Sequence, residues 1–245
     1  MEPSFIKDMF NHIAPRYDFL NRLLSLRRDV YWRREMAAAL TVPESGRVLD
    51  VACGTGDVMI ELMHQEKAGK HIIGLDFAPE MIGVARRKLH ARAAICRTDL
   101  LAGNGLSLPF LPGTFDAITI AFGIRNIMDR KAALREFFTH LKPGGHLAVL
   151  ELSTPRPRFL KYLYAVYFER ILPAIGGFFS SNRMAYRYLP ASVIRFPEPE
   201  TFAGLMKSAG FKDICWRRLT LGLATLHIGV KPADFNAFAI GGNPT

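Results

Sequence analysis

The sequence predicts an α/β fold with a doubly wound, mostly parallel sheet, and three observations lead there. Short runs rich in Val, Ile and Leu alternate with helical patterns between about residues 47 and 150, as strands buried on both faces require. The first two runs end in a glycine or acidic turn that opens the next helix, which is the strand–turn–helix order of crossover units. A chain of 245 residues, 49% of them hydrophobic, also has the material for a large core.

In chain order, residues 1–42 read as helices carrying aromatic and basic side chains ahead of any strand. After Pro43-Glu44-Ser45-Gly46 comes the apolar run Val48-Leu49-Asp50-Val51, a glycine turn, and a helical pattern through about Met63. The unit repeats as Ile72-Ile73-Gly74-Leu75-Asp76 and a helix opening at Pro79-Glu80, where proline suits the first turn. A third strand is expected at Ala93-Ala94-Ile95-Cys96, ahead of a turn-rich stretch from Leu101 to Gly113. Phe115 to Ile120 is strand-like, Asp129 to Leu141 helical, Lys142-Pro143-Gly144-Gly145 a stop, and His146 to Leu150 a strand. Residues 154–197 break the rhythm with Thr154-Pro155-Arg156-Pro157-Arg158 and a dense apolar, tyrosine-rich run from Phe159 to Phe179. Sheet logic returns with a helix from Glu198 to Ala209, a turn at Gly210, and strands Phe211 to Trp216 and Leu221 to Val230. The expected division is an N-terminal helical lid (1–42), a ligand-binding core (43–153), an inserted helical cap (154–197), the C-terminal part of the sheet (198–231) and a frayed tail (232–245).

Composition narrows the class. The hydrophobic content excludes disorder for most of the chain. Cys53, Cys96 and Cys215 form no C-x-x-C pair and no even set, which fits free thiols in a reducing compartment. The N-terminus has neither a basic region nor an apolar core of signal type, so a cytoplasmic location is expected. With 32 Lys+Arg against 22 Asp+Glu the net charge is +10, which suits a nucleic acid, an anionic membrane surface or a basic proteome equally. Basic residues cluster at Arg27, Arg28, Arg33 and Arg34, at Arg86, Arg87, Lys88 and Arg92, and at Arg156, Arg158 and Lys161. The second cluster falls late in a helix, where cations complement the carboxyl end, and reads as a solvated face without function.

The chemistry concentrates in Asp50-Val51-Ala52-Cys53-Gly54-Thr55-Gly56-Asp57. Glycines directly after a buried strand let a ligand approach the backbone, and Asp76, closing the second strand, can accept hydrogen bonds from ribose hydroxyls. A third glycine of the dinucleotide pattern would fall at Met59, and Asp57 would oppose a pyrophosphate. Asp50, Asp57 and Asp76 around one turn instead suit a cationic ligand, an ammonium or a sulfonium. Zincin, serine-hydrolase and P-loop signatures are absent, and His12, His140 and His146 lack metal-ligand spacing, so no metal is expected. His227 reads equally as a hydrogen-bonded sheet residue and as a site residue.

This acidic-x-Gly-x-Gly turn resembles the first motif of class I S-adenosylmethionine-dependent methyltransferases, which have a Rossmann-like core. The likeness is closer over Asn11 to Asn21, Leu108-Pro109-Phe110, Ala121-Phe122-Gly123-Ile124-Arg125-Asn126, Leu141 to Gly145, Tyr186-Arg187-Tyr188-Leu189-Pro190, Phe196-Pro197 and Leu221 to His227. Together these segments are similar to the ubiquinone/menaquinone biosynthesis C-methyltransferase family, over residues 5–231. Asp76-Phe77-Ala78 and Tyr167-Phe168 lean toward its menaquinone branch. The resemblance implies S-adenosylmethionine as cofactor, held by Asp50, Gly54, Thr55 and Gly56 at the methionine part, Asp76 at the ribose, and Asp99 with Leu100 at the adenine. It implies methyl transfer to a ring carbon of a prenylated quinol, demethylmenaquinol to menaquinol. Arg125 and Asn126 would stabilise a phenolate oxygen, and Tyr17 and Asp18 of the lid would partner that oxygen or a water beside it. Arg156, Arg158 and Lys161 ahead of Phe159 and Leu160 suggest peripheral contact with the inner face of the membrane. Methylation of a phospholipid headgroup is an alternative in the same chemistry, and a basic RNA-binding protein one of another class. Against the latter, and so against a nucleic-acid partner, the basic residues lack aromatic interleaving. Oligomerisation is left open.

Overall fold

The computed structural model describes residues 3–65, 70–92, 97–155, 159 and 183–234. Among these the strands are β1 (Arg47–Val51), β2 (His71–Asp76), β3 (Arg97–Ala102), β4 (Phe115–Ala121), β5 (Leu141–Leu152), β6 (Lys212–Leu219) and β7 (Ala224–Val230). They form one sheet in the order β3-β2-β1-β4-β5-β7-β6, and β7 runs antiparallel to both of its neighbours. The sheet is thus mostly parallel, doubly wound, with one reversed strand.

Strands are added in opposite senses on either side of β1 and β4, which are parallel hydrogen-bonded neighbours. The loops leaving their carboxyl ends diverge there, and a crevice opens at that edge. Both strands are buried on both faces by Val48, Leu49, Val51, Ala117, Ile118 and Ile120, so the edge is a rigid platform.

The helices follow local rules. Helices α1 (Pro3–Ile13), α2 (Tyr17–Leu24) and α3 (Arg28–Ala38) precede the sheet. Helix α4 (Asp57–His64) starts from left-handed Gly56, and α5 (Pro79–His90) opens on proline. Helix α6 (Arg130–His140) is capped by the Asp129 carboxylate, which accepts from the Ala132 N–H at 2.9 Å. Helices α7 (Arg183–Ile194) and α8 (Pro199–Ser208) precede β6. One core joins Trp32, Met36, Val58, Met59 and Leu62 to one side of the sheet, and a second joins Phe137, Phe202, Met206 and Phe211 to the other. No helix of the described residues is long and apolar enough to cross a membrane.

Three sequence expectations are corrected. The third strand is Arg97–Ala102, with Ile73 opposite Asp99 and Asp76 opposite Ala102. It is an edge strand with exposed polar residues, so an apolar-run criterion favours 93–96, which lie outside the described residues. The helix ends at His140, next to the expected stop, but Lys142 to Gly145 do not precede β5. They form a bulge inside it, between the pairs Phe115–Leu141 and Ala117–His146, with Gly144 at φ 77°. Leu221 to Leu223 are not strand: Thr220 (φ 47°) and Leu221 (φ 58°) make a left-handed turn, pinned where the Trp32 indole donates to Thr220 Oγ1 at 2.8 Å. The run Phe159–Phe179, apart from Phe159, and the residues Cys96, Arg156, Arg158, Lys161 and 235–245 lie outside the described residues.

Candidate active site

At the reversal point lies a cavity of about 160 Å³, many times the space a single water needs. Its floor is the turn after β1 (Val51, Ala52, Gly54), one wall is Asp76 and Phe77 after β2, and the next is Gly103 to Leu106 after β3. Ala121 to Gly123 and Asn126 to Met128 close the far side, and Ile6, Phe10 and Tyr17 of the N-terminal helices lie over it.

The glycine turn works by two different means. Gly54 sits at φ 54°, and a Cβ added there would meet nothing within 4 Å, so its free space faces the cavity. Gly56, at φ 80°, would bring a Cβ to 3.3 Å from Ala85 Cβ, so its role is close packing of α4 on α5. The Gly54 N–H donates to Asp76 Oδ2 at 2.7 Å and the Ala78 N–H to Asp76 Oδ1 at 2.8 Å. These bonds aim the Asp76 carboxylate along the cavity wall. Burial pushes its pKa up, against the pull of the backbone N–H donors of Ala78, Gly54 and Phe77.

Asp50 lies beneath the turn and off the cavity wall. It is fully buried, and its Oδ1 accepts from Thr119 Oγ1 at 2.7 Å while Oδ2 has no partner. Burial pushes its carboxyl up to about 7, although the Thr119 hydroxyl and Arg33 work against this. An orphaned buried carboxylate oxygen under a ligand-sized space is what a cationic ligand would relieve.

Asp57 does not face a ligand in that way. Arg33 stands 3.5 Å away, Arg22 at 3.3 Å, and Lys88 reaches it as well. Burial raises its carboxyl, but Arg33 and Lys88 outweigh this and hold it below the usual range. Thr55 Oγ1 donates to Asp18 Oδ1, and Lys88 Nζ donates to Asp18 Oδ2 at 2.6 Å. Asp18 is therefore off the cavity wall and ties α2 to the glycine turn. Lys88 corrects the reading of its cluster as a solvated face, since its side chain is only 19% exposed between two carboxylates. Tyr17, one residue before Asp18, faces the cavity; burial raises its phenol pKa and Arg125 opposes that rise.

Arg125 and Asn126 part ways. Arg125 is buried off the cavity wall, its Nη1 2.7 Å from Glu151 Oε1 and also donating to the Phe122 carbonyl. Its own N–H donates to Glu151 Oε2 at 3.2 Å. The Arg125 guanidinium, expected to meet a phenolate, forms an ion pair with fully buried Glu151, and its buried Nε has no hydrogen-bond partner among the described residues. Asn126 does line the cavity, and its Oδ1 accepts from the Tyr188 hydroxyl at 2.8 Å.

Asp99 and Leu100 are also displaced from their expected place. They sit in mid-strand, two and three residues into β3, and the site edge lies beyond Ala102. Asp99 Oδ2 contacts His71 Nε2 at 2.6 Å, and Leu100 packs in the core. The residues at the edge are Gly103, Asn104 and Gly105, which follow β3. The position of Asn104 four residues before Leu108-Pro109 was the available signal. Arg33 is a second missed residue: it lines a recess with Gly54, Thr55 and Tyr17. His227 is a sheet residue, its Nε2–H donating to the Pro199 carbonyl at 3.1 Å; burial lowers its pKa to about 4.

Known proteins share the chain's sequence pattern and its fold. The model of the ubiE/COQ5 methyltransferase family matches residues 1–231. The chain is 48% identical over 226 residues to the ubiquinone/menaquinone biosynthesis C-methyltransferase of Geobacter sulfurreducens, covering 92% of this chain and 88% of that one. It is 48% identical over 225 residues to the demethylmenaquinone methyltransferase of Thermus thermophilus, covering 91% of this chain and 100% of that one. Among solved structures, an S-adenosylmethionine-dependent methyltransferase from Thermotoga maritima aligns at TM-score 0.62 with 20% identity, over 91% of this chain and 99% of that one. A phosphoethanolamine N-methyltransferase from Haemonchus contortus aligns at 0.58 with 15% identity, over 79% of this chain and 50% of that one. These two likenesses concern the fold alone.

Proposed function

Because the chain belongs to the ubiE/COQ5 methyltransferase family, we propose a site-level account of its reaction, in which Tyr17 and Asn126 hold a quinol oxygen beside the cofactor. The chain is an S-adenosylmethionine-dependent C-methyltransferase of quinone biosynthesis. The observation that carries the reading is the cavity itself, which Asp76, the open face of Gly54, Asn126 and Tyr17 line together.

The residues present fit the cofactor. Asp76 would hold the ribose hydroxyls and the Asn104 and Gly105 turn the adenine edge, in place of Asp99 and Leu100. The recess of Arg33 and Thr55 would take the methionine carboxylate, and Asp50 beneath Gly54 offers a buried negative end for the cationic part. When bound, S-adenosylmethionine supplies a sulfonium methyl open to in-line displacement.

A ring carbon is a weak nucleophile until a neighbouring hydroxyl gives up its proton, and a quinol has that hydroxyl where a quinone does not. Burial keeps the Tyr17 phenol protonated at neutral pH, so it serves as a donor to the oxygen and not as its base. The Asn126 amide supplies the second donor. Arg125 contributes its positive field from behind the turn, where its Nη1 is committed to Glu151 and Phe122. Much of the rate then comes from holding carbon and methyl in line, away from water.

The substrate class is a prenylated quinol, demethylmenaquinol being the favoured member. Its tail would leave past Leu106 and Met128, the latter 70% exposed at the cavity rim. Such a substrate resides in lipid, so a cytoplasmic enzyme working peripherally at the membrane follows from its chemistry. The test is methyl transfer from labelled S-adenosylmethionine to demethylmenaquinol in detergent micelles. Product is expected with the quinol and none with the quinone; efficient methylation of quinone under oxidising conditions overturns the account.

A further inference from the structure

Asn126 is held from two sides by residues that do not touch the cavity in the same way. It ends a short 3-10 turn, Ile124–Asn126, directly after β4 and left-handed Phe122. From within, the turn is fixed by the Glu151 carboxylate, which takes both the backbone N–H and the guanidinium of Arg125. From without, the hydroxyl of Tyr188 on α7 donates to Asn126 Oδ1 at 2.8 Å. Nothing in the catalytic account above uses Tyr188.

A side-chain amide has one acceptor branch and one branch carrying two donors. When the acceptor branch is occupied by Tyr188, the N–H branch is the one left for the cavity that Asn126 lines. Rotation about the terminal torsion of asparagine is broad and two-fold, so without a partner both orientations populate. Only one of them offers donors to an oxygen that gains negative charge. We propose that Tyr188 is a positioning residue: by accepting no substrate contact of its own and capping Asn126 Oδ1, it selects the amide orientation that presents N–H donors to the quinol oxygen. Burial holds the Tyr188 phenol above its ordinary pKa, against the pull of Arg125, so the hydroxyl keeps its proton through neutral pH. The inference rests on the reading that Asn126 meets the substrate oxygen, and the experiment separates the two.

Steady-state kinetics on Tyr188→Phe, Asn126→Ala, Asn126→Asp and the double variant Tyr188→Phe/Asn126→Ala, with S-adenosylmethionine affinity measured by calorimetry, supply the test. Loss of the Asn126 donor is expected to lower kcat about a hundredfold, in Ala and Asp variants alike, because Asp can still accept from Tyr188 but offers nothing to the cavity. Tyr188→Phe is expected to lower kcat roughly tenfold at unchanged cofactor affinity, and to add nothing in the Asn126→Ala background. Independent, multiplying losses in the double variant overturn the positioning role, as does wild-type kcat in Tyr188→Phe. Wild-type turnover by Asn126→Ala overturns the underlying reading of Asn126 and with it the role of Tyr188.

Discussion

Adjacent residues on one short turn serve opposite purposes here. Arg125 points inward to fully buried Glu151 and Asn126 outward to the cavity, a division set by the 3-10 turn and not by residue type. Asp50 shows how burial alone changes a group. Its folded-state pKa of about 7 lies above an unfolded value near 3.8, so the folded state holds the proton more tightly. The stabilisation this gives is complete below the unfolded value and is lost as pH rises through about 7. Asp50→Asn, which cannot ionise, is therefore expected to melt several degrees above the wild type at pH 8, given roughly 2–4 °C per kcal/mol for a chain of this size. At pH 4 the two should melt together. Thermal scans of the ligand-free protein decide it, and equal melting at both values would mean that the carboxylate is compensated at neutral pH.

Between elements, the contact that matters most to the site is electrostatic. Helix α2 brings Asp18 to Thr55 of the glycine turn and to Lys88 of α5, while Asp57 at the start of α4 gathers Lys88, Arg22 and Arg33. This network seats the helix that places Tyr17 over the cavity. Lys88→Met removes one of the two cations that contact both Asp18 and Asp57 and leaves Arg22 alone between these carboxylates, an arrangement costly in a poorly solvated place. Cleavage near residues 16–28 by a protease at limiting concentration should then accelerate about tenfold, the shift that 1.4 kcal/mol of local opening produces. KM for S-adenosylmethionine should rise in parallel, and Lys88→Arg should restore part of both. Mass spectrometry of the fragments checks the site of cutting. An unchanged digestion pattern would mean that apolar contacts such as Phe10 with Tyr17 hold the helices unaided.

For the molecule as a whole, a ligand in the cavity would be linked to the fold, because the cavity joins the N-terminal helices to four separate loops of the sheet edge. A ligand that binds only the folded state stabilises it by about 2.7 kcal/mol at a hundred times its Kd. S-adenosylmethionine at that level should raise the melting temperature of the wild type by roughly 5–11 °C. Asp76→Ala, which removes the carboxylate facing the cavity while the sheet beneath stays packed, should show little rise at the same concentration. An equal rise in both would remove Asp76 from the ribose site.

Much of this was readable from the chain. The strand–glycine turn–helix at residues 48–63, the acidic end of β2 at Asp76 and the asparagine after β4 are local patterns, set by nearest-neighbour sterics and burial. The sequence by itself therefore determined the fold class and singled out Gly54, Asp76 and Asn126, which line one cavity at the sheet edge. Three things only the tertiary structure decided. Edge strand β3 is set by pairing with β2 and not by its own hydrophobicity, which moved the third loop of the site from Asp99 to Asn104. Charge partners 26 to 70 residues apart, Glu151 for Arg125 and Asp18 for Lys88, meet only when the sheet and helices assemble. Tyr188 reaches Asn126 across 62 residues for the same reason. A side chain's periodicity tells which face of its own element it occupies; which opposite charge or amide waits there is settled by packing between distant segments.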